Sequence, residues 1–446
     1  MAVKVQIAGK ASVALSLPLR EKSPMRILLL GGGGREHTLA WKMAQSPHCE
    51  QLFIGPGNAG TEQHGRNLDV RPNDFPALKK LVLEHRIDLV VVGPEEPLVR
   101  GIFDFFQEDP DLQEVRVVGP SRAGAQLEGS KAFAKTFMAE YGIPTANYRE
   151  FSPDTLTDGL AYLDQHPLPI VLKADGLAAG KGVLILEDRE AAKQEFRAML
   201  AGKFGAASEK VVVEAFLSGT EFSVFVLTDG QDYQILPVAK DYKRIGEGDT
   251  GLNTGGMGSV SPVPFVDDTL MQKVEARIIR PTLRGIQDRG MTYRGFLFLG
   301  LIAVDQDPYV IEYNCRLGDP ETEVVLPRLN NDLVELFMHM HEGKLASVNI
   351  QEDSRSAATV ILVSGGYPQQ YEKGKVIRGL KDTQHSLLFH AGTRADGETV
   401  VTNGGRVLAI TSLAPTLAEA LTLSKENARR IDFAGKYFRT DIGFDL

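Results

Sequence analysis

The sequence has few cysteines and no long apolar run. Only Cys49 and Cys315 occur among 446 residues, which excludes a disulfide framework and a thiolate metal cluster and favours a reducing compartment. Apolar runs such as Leu89–Val92 are much shorter than the roughly 18 residues that cross a bilayer. We therefore expect a cytoplasmic protein that is not embedded in a membrane.

An overall basic field is also absent. The chain has 49 Lys plus Arg against 58 Asp plus Glu, a net charge of -9, which argues against nucleic acid or an anionic membrane as a partner. Among nine histidines, only His339 and His341 have HxH spacing. At i and i+2 on a helix-like stretch they face different ways, so a zinc hydrolase is not indicated. Any phosphate has to be bound locally, by specific loops.

Length and composition indicate several folded units. At roughly 150 residues per domain the chain predicts about three domains, and 43 % hydrophobic with 24 % charged residues is typical of globular proteins. The first segment has cations around a mild apolar stretch, so it is either a weak export or organelle signal or a disordered extension before a start at Met25. We predict an extension at 1–24, an amino-terminal domain at 25–125, a central domain at 126–346 and a carboxy-terminal domain at 347–446.

The order of apolar runs and glycine turns indicates the fold class. From Met25, strands of the fully buried type alternate with helical stretches, which predicts a doubly wound α/β domain with a parallel sheet. The strands are expected near 27–30, 53–54, 89–92 and 115–118, and the helices at 36–45, 75–84 and 98–107. The central region has hairpin spacing, which predicts antiparallel sheets with helices, and the last region predicts a small α+β domain. The protein is therefore expected to be multidomain, combining α/β and α+β units.

Three loops of the first region, 31–36, 55–61 and 93–96, are expected to meet at the carboxyl ends of its strands. The loop 31–36 follows the first strand, but Glu36 stands where a dinucleotide fingerprint needs its third glycine, so a bound NAD is not indicated. A small phosphorylated metabolite needs only backbone N–H groups and a cation such as Arg35. The alternative is a tight turn without a ligand. The loop 55–61 is similarly either a rigid turn or a polar rim around substrate.

The segment 173–183 suggests polyphosphate binding. It superficially resembles a Walker phosphate loop, but Asp175 and Gly182 stand where that motif needs Gly and Ser or Thr. A strand delivers Lys173, and the small residues that follow allow the loop to fold over phosphates. The alternative is a flexible surface hairpin. A strand at 211–213 with Glu214 and Glu221 after it can offer backbone groups to an adenine edge and a carboxylate to ribose, although a plain core strand has the same pattern.

Two further segments carry chemistry. Glu312, Asn314 and Arg316 alternate after an apolar strand, so for as long as the strand continues two oxygen ligands and a cation share one face, which suits Mg²⁺ beside nucleotide phosphates. The alternative is a solvated strand face. The glycine-rich loop 253–258 has amides that can grip a carboxylate, or it is only a mobile loop. The run 241–244 just before it adds cationic side chains.

Together these motifs resemble the glycinamide ribonucleotide synthetases, a family of the ATP-grasp superfamily. The matching stretches cover the chain from Met25 to the end: GGREHTLAWK from Gly33, PGNAGT from Pro56, VGPEEPLV from Val92, QLEGSKAFAK from Gln126, KADGLAAGKGV from Lys173, NTGGMG from Asn253, EYNCRLGDPE from Glu312 and TNGGRVL from Thr402. The resemblance implies an ATP-grasp central domain and ATP-dependent ligation of glycine to 5-phosphoribosylamine through glycyl phosphate. No protein nucleophile is required, which agrees with the absence of an obvious one.

The resemblance also implies site residues. Arg316 and Lys173 would be catalytic, and Glu312 and Asn314 would hold Mg²⁺ or Mn²⁺. The nucleotide would be bound by Lys131, Lys173, Gly176, Gly180, Lys181, Gly182, Glu214, Leu217 and Glu221. Glycine and phosphoribosylamine would be surrounded by Arg35, Glu36, Asn58, Gly60, Glu95, Thr254, Gly255, Gly256, Met257, Gly318 and Asp319.

The chain departs from the family's usual residues at four positions, Gly32, Tyr242, Leu252 and Leu317, where Asn, His, Pro and Phe are usual. Tyr242 removes a titratable donor, and it is therefore left out of the catalytic set. Two alternatives stay open at this stage. One is another ATP-grasp ligase, such as a carboxylase of the biotin or purine type, against which the NTGGMG and NGGR segments argue. The other is a nucleotide-binding regulatory protein without catalysis, which would be expected to lack Glu312 and Asn314.

Overall fold

The computed structural model describes residues 24–177 and 182–446. Residues 1–23 of the predicted extension lie outside the described residues, and so do Gly180 and Lys181 of the predicted phosphate loop. Within the two described ranges, no helix has both the length and the apolar character needed to traverse a bilayer.

The amino-terminal region forms a parallel sheet with helices on both faces, as predicted. Its elements are β1 Met25–Gly31, α1 Gly34–Met43, β2 Cys49–Pro56, β3 Arg66–Asn67, α2 Phe75–His85, β4 Leu89–Val92, α3 Glu95–Val99, α4 Ile102–Glu108, β5 Arg116–Pro120 and α5 Arg122–Gly129. The strand order is β5-β4-β1-β2-β3. The single helix predicted at 98–107 is wrong: Gly101 adopts a φ of +87°, which separates α3 from α4.

The central region contains antiparallel sheets and helices. Its elements are α6 Lys131–Glu140, β6 Tyr148–Phe151, α7 Leu156–Gln165, β7 Ile170–Ala174, β8 Val183–Leu186, α8 Arg189–Leu200, β9 Val211–Ala215, β10 Thr220–Thr228, β11 Tyr233–Ile235, β12 Lys240–Asp241, β13 Arg244–Gly246, β14 Thr250–Asn253, β15 Gly258–Ser261, α9 Asp268–Val274, α10 Arg280–Asp288, β16 Tyr293–Val304, β17 Asp307–Asn314, α11 Thr322–Arg328 and α12 Leu333–His341. A π-helical turn, Glu275–Ile279, joins α9 to α10. Strands β6, β9, β7 and β8 form a separate four-stranded sheet.

The carboxy-terminal region is a small α+β unit, as predicted. Its elements are β18 Ser356–Val363, β19 Ser386–His390, β20 Thr393–Asp396, β21 Thr399–Thr402, β22 Arg406–Ala414 and α13 Leu417–Arg430. A capping box between Thr416 and Glu419 satisfies the first backbone N–H groups of helix α13.

Two strand pairings, β5 with β16 and β15 with β18, connect the regions. Tyr293 and Arg294 of β16 pair with Pro120 and Gly119 of β5, which joins β10, β11, β16 and β17 to the amino-terminal strands in one nine-stranded sheet. Strands β12 and β15 instead belong to the carboxy-terminal sheet, whose order is β12-β15-β18-β22-β19. The chain segment around 240–261 is therefore built against the carboxy-terminal unit, although it belongs to the central region in sequence.

Strand β1 lies at the centre of the fold. Ile27 and Leu29 are in one core cluster and Leu28 and Leu30 are in another, so both faces of the strand are buried. All four side chains are fully inaccessible to solvent. This burial fixes the strand and thereby the loop after Gly31, from which α1 starts.

Candidate active site

Three lysines lie where the four-stranded sheet faces β17. Lys173 of β7 donates to the carbonyl of Ile311 at 3.1 Å, next to Glu312. Lys131, at the start of α6, donates to the carbonyl of Gly176 at 3.1 Å. Lys135 lies one turn later on α6, and it was not selected from sequence although it is within the QLEGSKAFAK stretch. The arrangement concentrates positive charge at the base of the glycine loop.

The side chain of Glu214 is occupied by these lysines. Its two carboxylate oxygens lie 3.0 Å from the Nζ atoms of Lys135 and Lys173, and the residue is 3 % exposed. Burial favours a raised pKa for this carboxyl, but the two lysines outweigh it and the pKa is lowered. A contact from this region to adenosine would therefore come from backbone atoms or from the half-buried Leu217, and the expected role of the Glu214 carboxylate there remains a prediction.

The base of the predicted phosphate loop is anchored to α6. Asp175 accepts hydrogen bonds from the Ser130 hydroxyl at 2.9 Å and from the Ala132 amide at 3.1 Å. Gly176 has a φ of +122°, a conformation that favours glycine. On the other side of the loop, the carbonyl of Gly182 accepts from the Ala174 amide at 2.8 Å. The two ends of the loop are thus held beside Lys131 and Lys173.

The space between the four-stranded sheet and β17 is the candidate substrate cleft, and Glu221 begins a second charged group at its edge. Its carboxylate lies 2.9 Å from Lys243 Nζ, and that ammonium lies 3.5 Å from Asp241. The lysine lowers the pKa of Glu221, so this carboxylate is an acceptor suited to hydroxyl groups. From the sequence Lys243 is only a nearby cation, because its pairing with Glu221 depends on the approach of β10 to the segment after β12.

Glu312 and Asn314 share one face of β17, as alternation predicted. They lie opposite Gly300 and Phe298 of β16. Asn314 is 7 % exposed, and its buried Nδ2 atom has no hydrogen-bond partner among the described residues. No set of three or more His, Cys, Asp or Glu side chains in the described ranges is arranged to hold a metal. The Glu312 carboxylate and the amide oxygen of Asn314, on one face of β17, are the kind of hard oxygen donors that suit a divalent cation whose remaining ligands are water and phosphate oxygens.

Arg316 lies at the centre of a carboxylate cluster. Its Nη2 is 2.8 Å from Glu128 and its Nε is 3.5 Å from Glu95. Glu128 also accepts from the Cys315 amide at 2.7 Å, and burial raises the pKa of Glu128 to about 7. The QLEGSK stretch contains Glu128, but sequence alone did not select it because its partner is distant along the chain.

Arg35 reaches this cluster from the amino-terminal region. Its Nε lies 2.7 Å from Glu36 and its Nη1 donates to the carbonyl of Leu317 at 3.2 Å. Burial opposes the charge on Arg35, but Glu36, Glu95 and Asp319 raise its pKa. The structure therefore brings Arg35 and Glu95, which were expected around the amino substrates, together with Arg316, which was expected to be catalytic.

Glu36 and Asn58 make internal contacts. Glu36 accepts from the Gly33 amide at 2.6 Å, in the first turn of α1. Asn58 accepts from the Gly60 amide at 2.8 Å and donates to the carbonyl of His390 at 2.7 Å. These side chains shape the two glycine loops and attach one of them to the carboxy-terminal unit, so their predicted contacts with substrate remain predictions.

The amides of the loop 254–257 all have protein acceptors. The Thr254 amide donates to the Lys243 carbonyl at 2.8 Å and the Met257 amide to the Tyr242 carbonyl at 2.7 Å. The Gly256 amide donates to the Thr254 hydroxyl at 2.9 Å. The Met257 side chain is buried in the carboxy-terminal core. In this structure the loop therefore has no free backbone N–H group with which to bind a substrate carboxylate.

Asp319 joins that loop to the segment after β17. Its Oδ1 lies 3.0 Å from Nη2 of Arg406, a residue of the TNGGRVL stretch that was not selected as a site residue. Gly318 packs against the carboxylate of Glu321, where a Cβ would lie 2.3 Å from Oε2. The predicted substrate residues 318 and 319 are thus held in a tight turn beside the loop 254–257.

The chain is similar to known proteins along nearly all of its length. Residues 25–128, 129–322 and 357–445 match the N domain, the ATP-grasp (A) domain and the C domain of phosphoribosylglycinamide synthetase. The chain is 48 % identical over 427 residues to a phosphoribosylamine–glycine ligase of Chlorobaculum tepidum, with 94 % of this chain and 99 % of that protein covered. It is 46 % identical to the enzyme of that name from Escherichia coli K12, with 94 % and 98 % covered.

A solved structure is also similar. The crystal structure of phosphoribosylamine–glycine ligase from Thermotoga maritima has a TM-score of 0.81 and 36 % identity, and the match covers 93 % of this chain and 99 % of that one. The same domain order therefore extends over nearly the whole of the described chain.

Proposed function

The chain belongs to the phosphoribosylglycinamide synthetase family of ATP-grasp ligases, and from this premise we propose how its residues carry out the reaction. The family activity is an ATP-dependent ligation in purine biosynthesis that joins glycine to 5-phosphoribosylamine and gives glycinamide ribonucleotide, ADP and phosphate. We propose that units at 25–125, 126–346 and 347–446 share this work, with the central unit binding ATP.

The first step activates the glycine carboxylate. One of its oxygens attacks the γ-phosphorus of ATP, the bond to the β–γ bridging oxygen breaks, and ADP leaves. Lys131 and Lys173, with the loop 176–182, bind the phosphates and offset the charge on the transferring group. Glu221 accepts from the ribose hydroxyls, and the chain near Leu217 contacts adenine. The residues do no covalent chemistry, so catalysis consists of positioning and electrostatics.

The metal of this site is proposed to be Mg²⁺ or Mn²⁺. Glu312 and Asn314 would hold it, since they supply a carboxylate oxygen and an amide oxygen on one face of β17. When bound, such an ion polarises phosphoryl oxygens and neutralises their charge.

The second step forms the C–N bond. The amine of phosphoribosylamine attacks the carbonyl carbon of glycyl phosphate, inorganic phosphate leaves and the nitrogen loses a proton. Arg316 stabilises the negative charge on the acyl phosphate. Arg35, Glu95, Gly318 and Asp319, together with the loops at 58–60 and 254–257, surround the two amino substrates.

One observation carries the proposal. Lys173 belongs to the four-stranded sheet, yet its Nζ donates to the carbonyl of Ile311 at 3.1 Å, and Ile311 immediately precedes Glu312. The phosphate-binding lysine and the metal-binding face of β17 are therefore adjacent. A triphosphate held by this lysine has its charge next to the proposed metal ligands, and Arg316 is two residues beyond Asn314.

The decisive experiment measures ADP release by the full chain with Mg²⁺. Release should require both glycine and freshly supplied phosphoribosylamine, and replacing glycine by alanine should abolish it. Release that depends on bicarbonate in place of glycine would instead indicate an ATP-grasp carboxylase. Nucleotide binding without turnover would indicate a regulatory protein.

Isotope transfer tests the intermediate. With glycine labelled by ¹⁸O in its carboxylate, each turnover should place one labelled oxygen in the released phosphate. Phosphate without label would contradict a glycyl phosphate, because only attack by the carboxylate oxygen moves that atom to phosphorus.

The cellular setting proposed for this reaction is the cytoplasm, with small molecules as the partners. The described Cys49 and Cys315 are both free thiols, which suits a reducing compartment.

A further inference from the structure

Arg406 of the carboxy-terminal unit contacts both loops that border the amino-substrate side of the cleft. Its Nη1 donates to the carbonyl of Gly255 at 2.6 Å and to the carbonyl of Asp319 at 2.7 Å. Its Nη2 lies 3.0 Å from the Asp319 carboxylate. One guanidinium thus connects the loop 254–257 to the turn at 318–319. Its side chain is 20 % exposed, so these contacts are largely shielded from water.

Tyr367 binds the backbone amide of Gly255. Its hydroxyl accepts from the Gly255 amide at 3.0 Å, while Arg406 binds the carbonyl of the same residue. The tyrosine ring packs on Gly405, where a Cβ would lie 2.2 Å from Cδ2. Both polar backbone groups of Gly255 are therefore engaged by side chains from the carboxy-terminal unit.

The two loops approach each other closely beside this arginine. Gly256 has a φ of +120°, and a Cβ on it would lie 2.3 Å from Cδ of Pro320. The approach therefore depends on glycine. The contact of Gly256 with Pro320 determines the distance between the loops. The guanidinium of Arg406 determines their relative orientation, because its N–H donors point in fixed directions.

We propose that Arg406 is a positioning residue for the amino substrates, acting through the loops 254–257 and 318–319. This inference rests on the proposed function, in which these loops border glycine and phosphoribosylamine. The nucleotide is held by a different set of groups, which includes Lys131, Lys173 and Glu221, so Arg406 should influence the amino substrates without influencing nucleotide binding.

Two variants and a control test this. Arg406→Lys keeps the charge but cannot reach all three acceptors, and Tyr367→Phe removes only the acceptor of the Gly255 amide. Arg394→Lys is the control, since Arg394 lies on the exposed β20–β21 hairpin with a 50 % exposed side chain. For each full-length protein, steady-state kinetics gives KM for glycine, phosphoribosylamine and ATP, calorimetry gives Kd for Mg-ADP, and thermal unfolding gives Tm.

We expect Arg406→Lys to raise KM for glycine by about 10-fold or more, the loss associated with a charge-assisted bidentate contact. Tyr367→Phe should raise it by a smaller factor in the same direction. Kd for Mg-ADP should stay within about twofold, as should every constant of Arg394→Lys.

An unchanged KM for glycine in Arg406→Lys would overturn the proposal, and so would an equal loss of Mg-ADP affinity accompanied by a lowered Tm, which indicates a merely structural role. Should Arg406→Lys not fold, Tyr367→Phe decides on the same readouts. Failure of the proposed function is distinguishable, because then the unmodified protein itself would release no ADP in response to glycine.

Discussion

Lys135 and Glu214 form a buried ion pair behind the phosphate-binding lysine. Their Nζ and Oε2 atoms are 3.0 Å apart, and the other oxygen of Glu214 is 3.0 Å from Lys173. Burial lowers the pKa of Lys135 to about 8, although Glu214 opposes this. One carboxylate faces two ammonium groups, so the group of three keeps a net positive charge that can attract a phosphate. The contact with Glu214 also holds Lys173 in place.

Replacing Lys135 by Met should therefore weaken ATP binding. Glu214 would be left to neutralise Lys173 alone, and we expect KM for ATP to rise about 10-fold while KM for glycine changes little. Steady-state kinetics checks this. The control is Lys203→Met, whose partially exposed pairing with Glu195 should not matter to either constant. An unaltered KM for ATP would contradict the role assigned to the pair.

Stability should depend on pH through Glu128. Burial raises its pKa from the ordinary 4.5 to about 7, so between these values the folded protein keeps a proton that the unfolded chain releases. The free energy of unfolding should then fall as pH rises from about 4.5 to about 7, by up to about 3 kcal/mol from this group. Urea unfolding at pH 5 and pH 7.5 measures the fall.

The matched variant for this effect is Glu128→Gln. It lacks the titrating group, so its unfolding free energy should decline less than that of the unmodified protein over the same interval. Other groups contribute equally to both proteins and cancel in the difference. Identical pH profiles would show that Glu128 ionises at an ordinary pKa.

Glu312→Gln tests the metal assignment. The change keeps the size of the side chain but removes its charge and one ligand oxygen, so we expect turnover to fall at least about 100-fold and its dependence on Mg²⁺ concentration to shift to higher concentrations. Tm should be nearly unchanged. Glu398→Gln, on the exposed β20–β21 turn, is the control. Full activity of Glu312→Gln would refute the assignment.

Tyr242 should matter to stability and not to catalysis. The residue is 1 % exposed, its hydroxyl donates to Asp445 at 2.8 Å, and Arg439 lies over its ring with Cζ 5.5 Å from the ring centroid. Tyr242→Phe should lower the free energy of unfolding by about 1–2 kcal/mol and leave KM for glycine and ATP within about twofold. A large kinetic effect at unchanged stability would show that this hydroxyl serves the reaction.

The amino-terminal fold was predictable because its signals are local. Each strand such as Leu89–Val92 is a short apolar run, and glycine turns separate the strands from helices. The break of the helix at Gly101 was missed, since one glycine in a helical pattern is often tolerated. The pairing of Tyr293 with Pro120 was not predictable either, because nothing in either segment specifies a partner so distant along the chain.

The site residues were likewise predictable where the signal is local and not where it depends on a distant partner. Alternation placed Glu312 and Asn314 on one face correctly, because the period of a strand determines that face. The contacts of Glu214 could not be predicted, since a carboxylate after a strand is equally suited to bind ribose or lysine. Arg406 was missed because its function depends on two loops from other parts of the chain. Sequence therefore identified the chemically important segments better than it identified the partners of individual side chains.

The pairing of β5 with β16 gives the two walls of the cleft unequal stiffness. One wall is part of a continuous nine-stranded sheet, so bending it would break ladder hydrogen bonds. The other wall is the four-stranded sheet that carries Lys173, which is connected to the chain on either side by short segments at 141–147 and 216–219. We therefore expect nucleotide to enter and leave by hinge rotation of the four-stranded sheet with its helices, while the surface that binds the amino substrates stays nearly fixed.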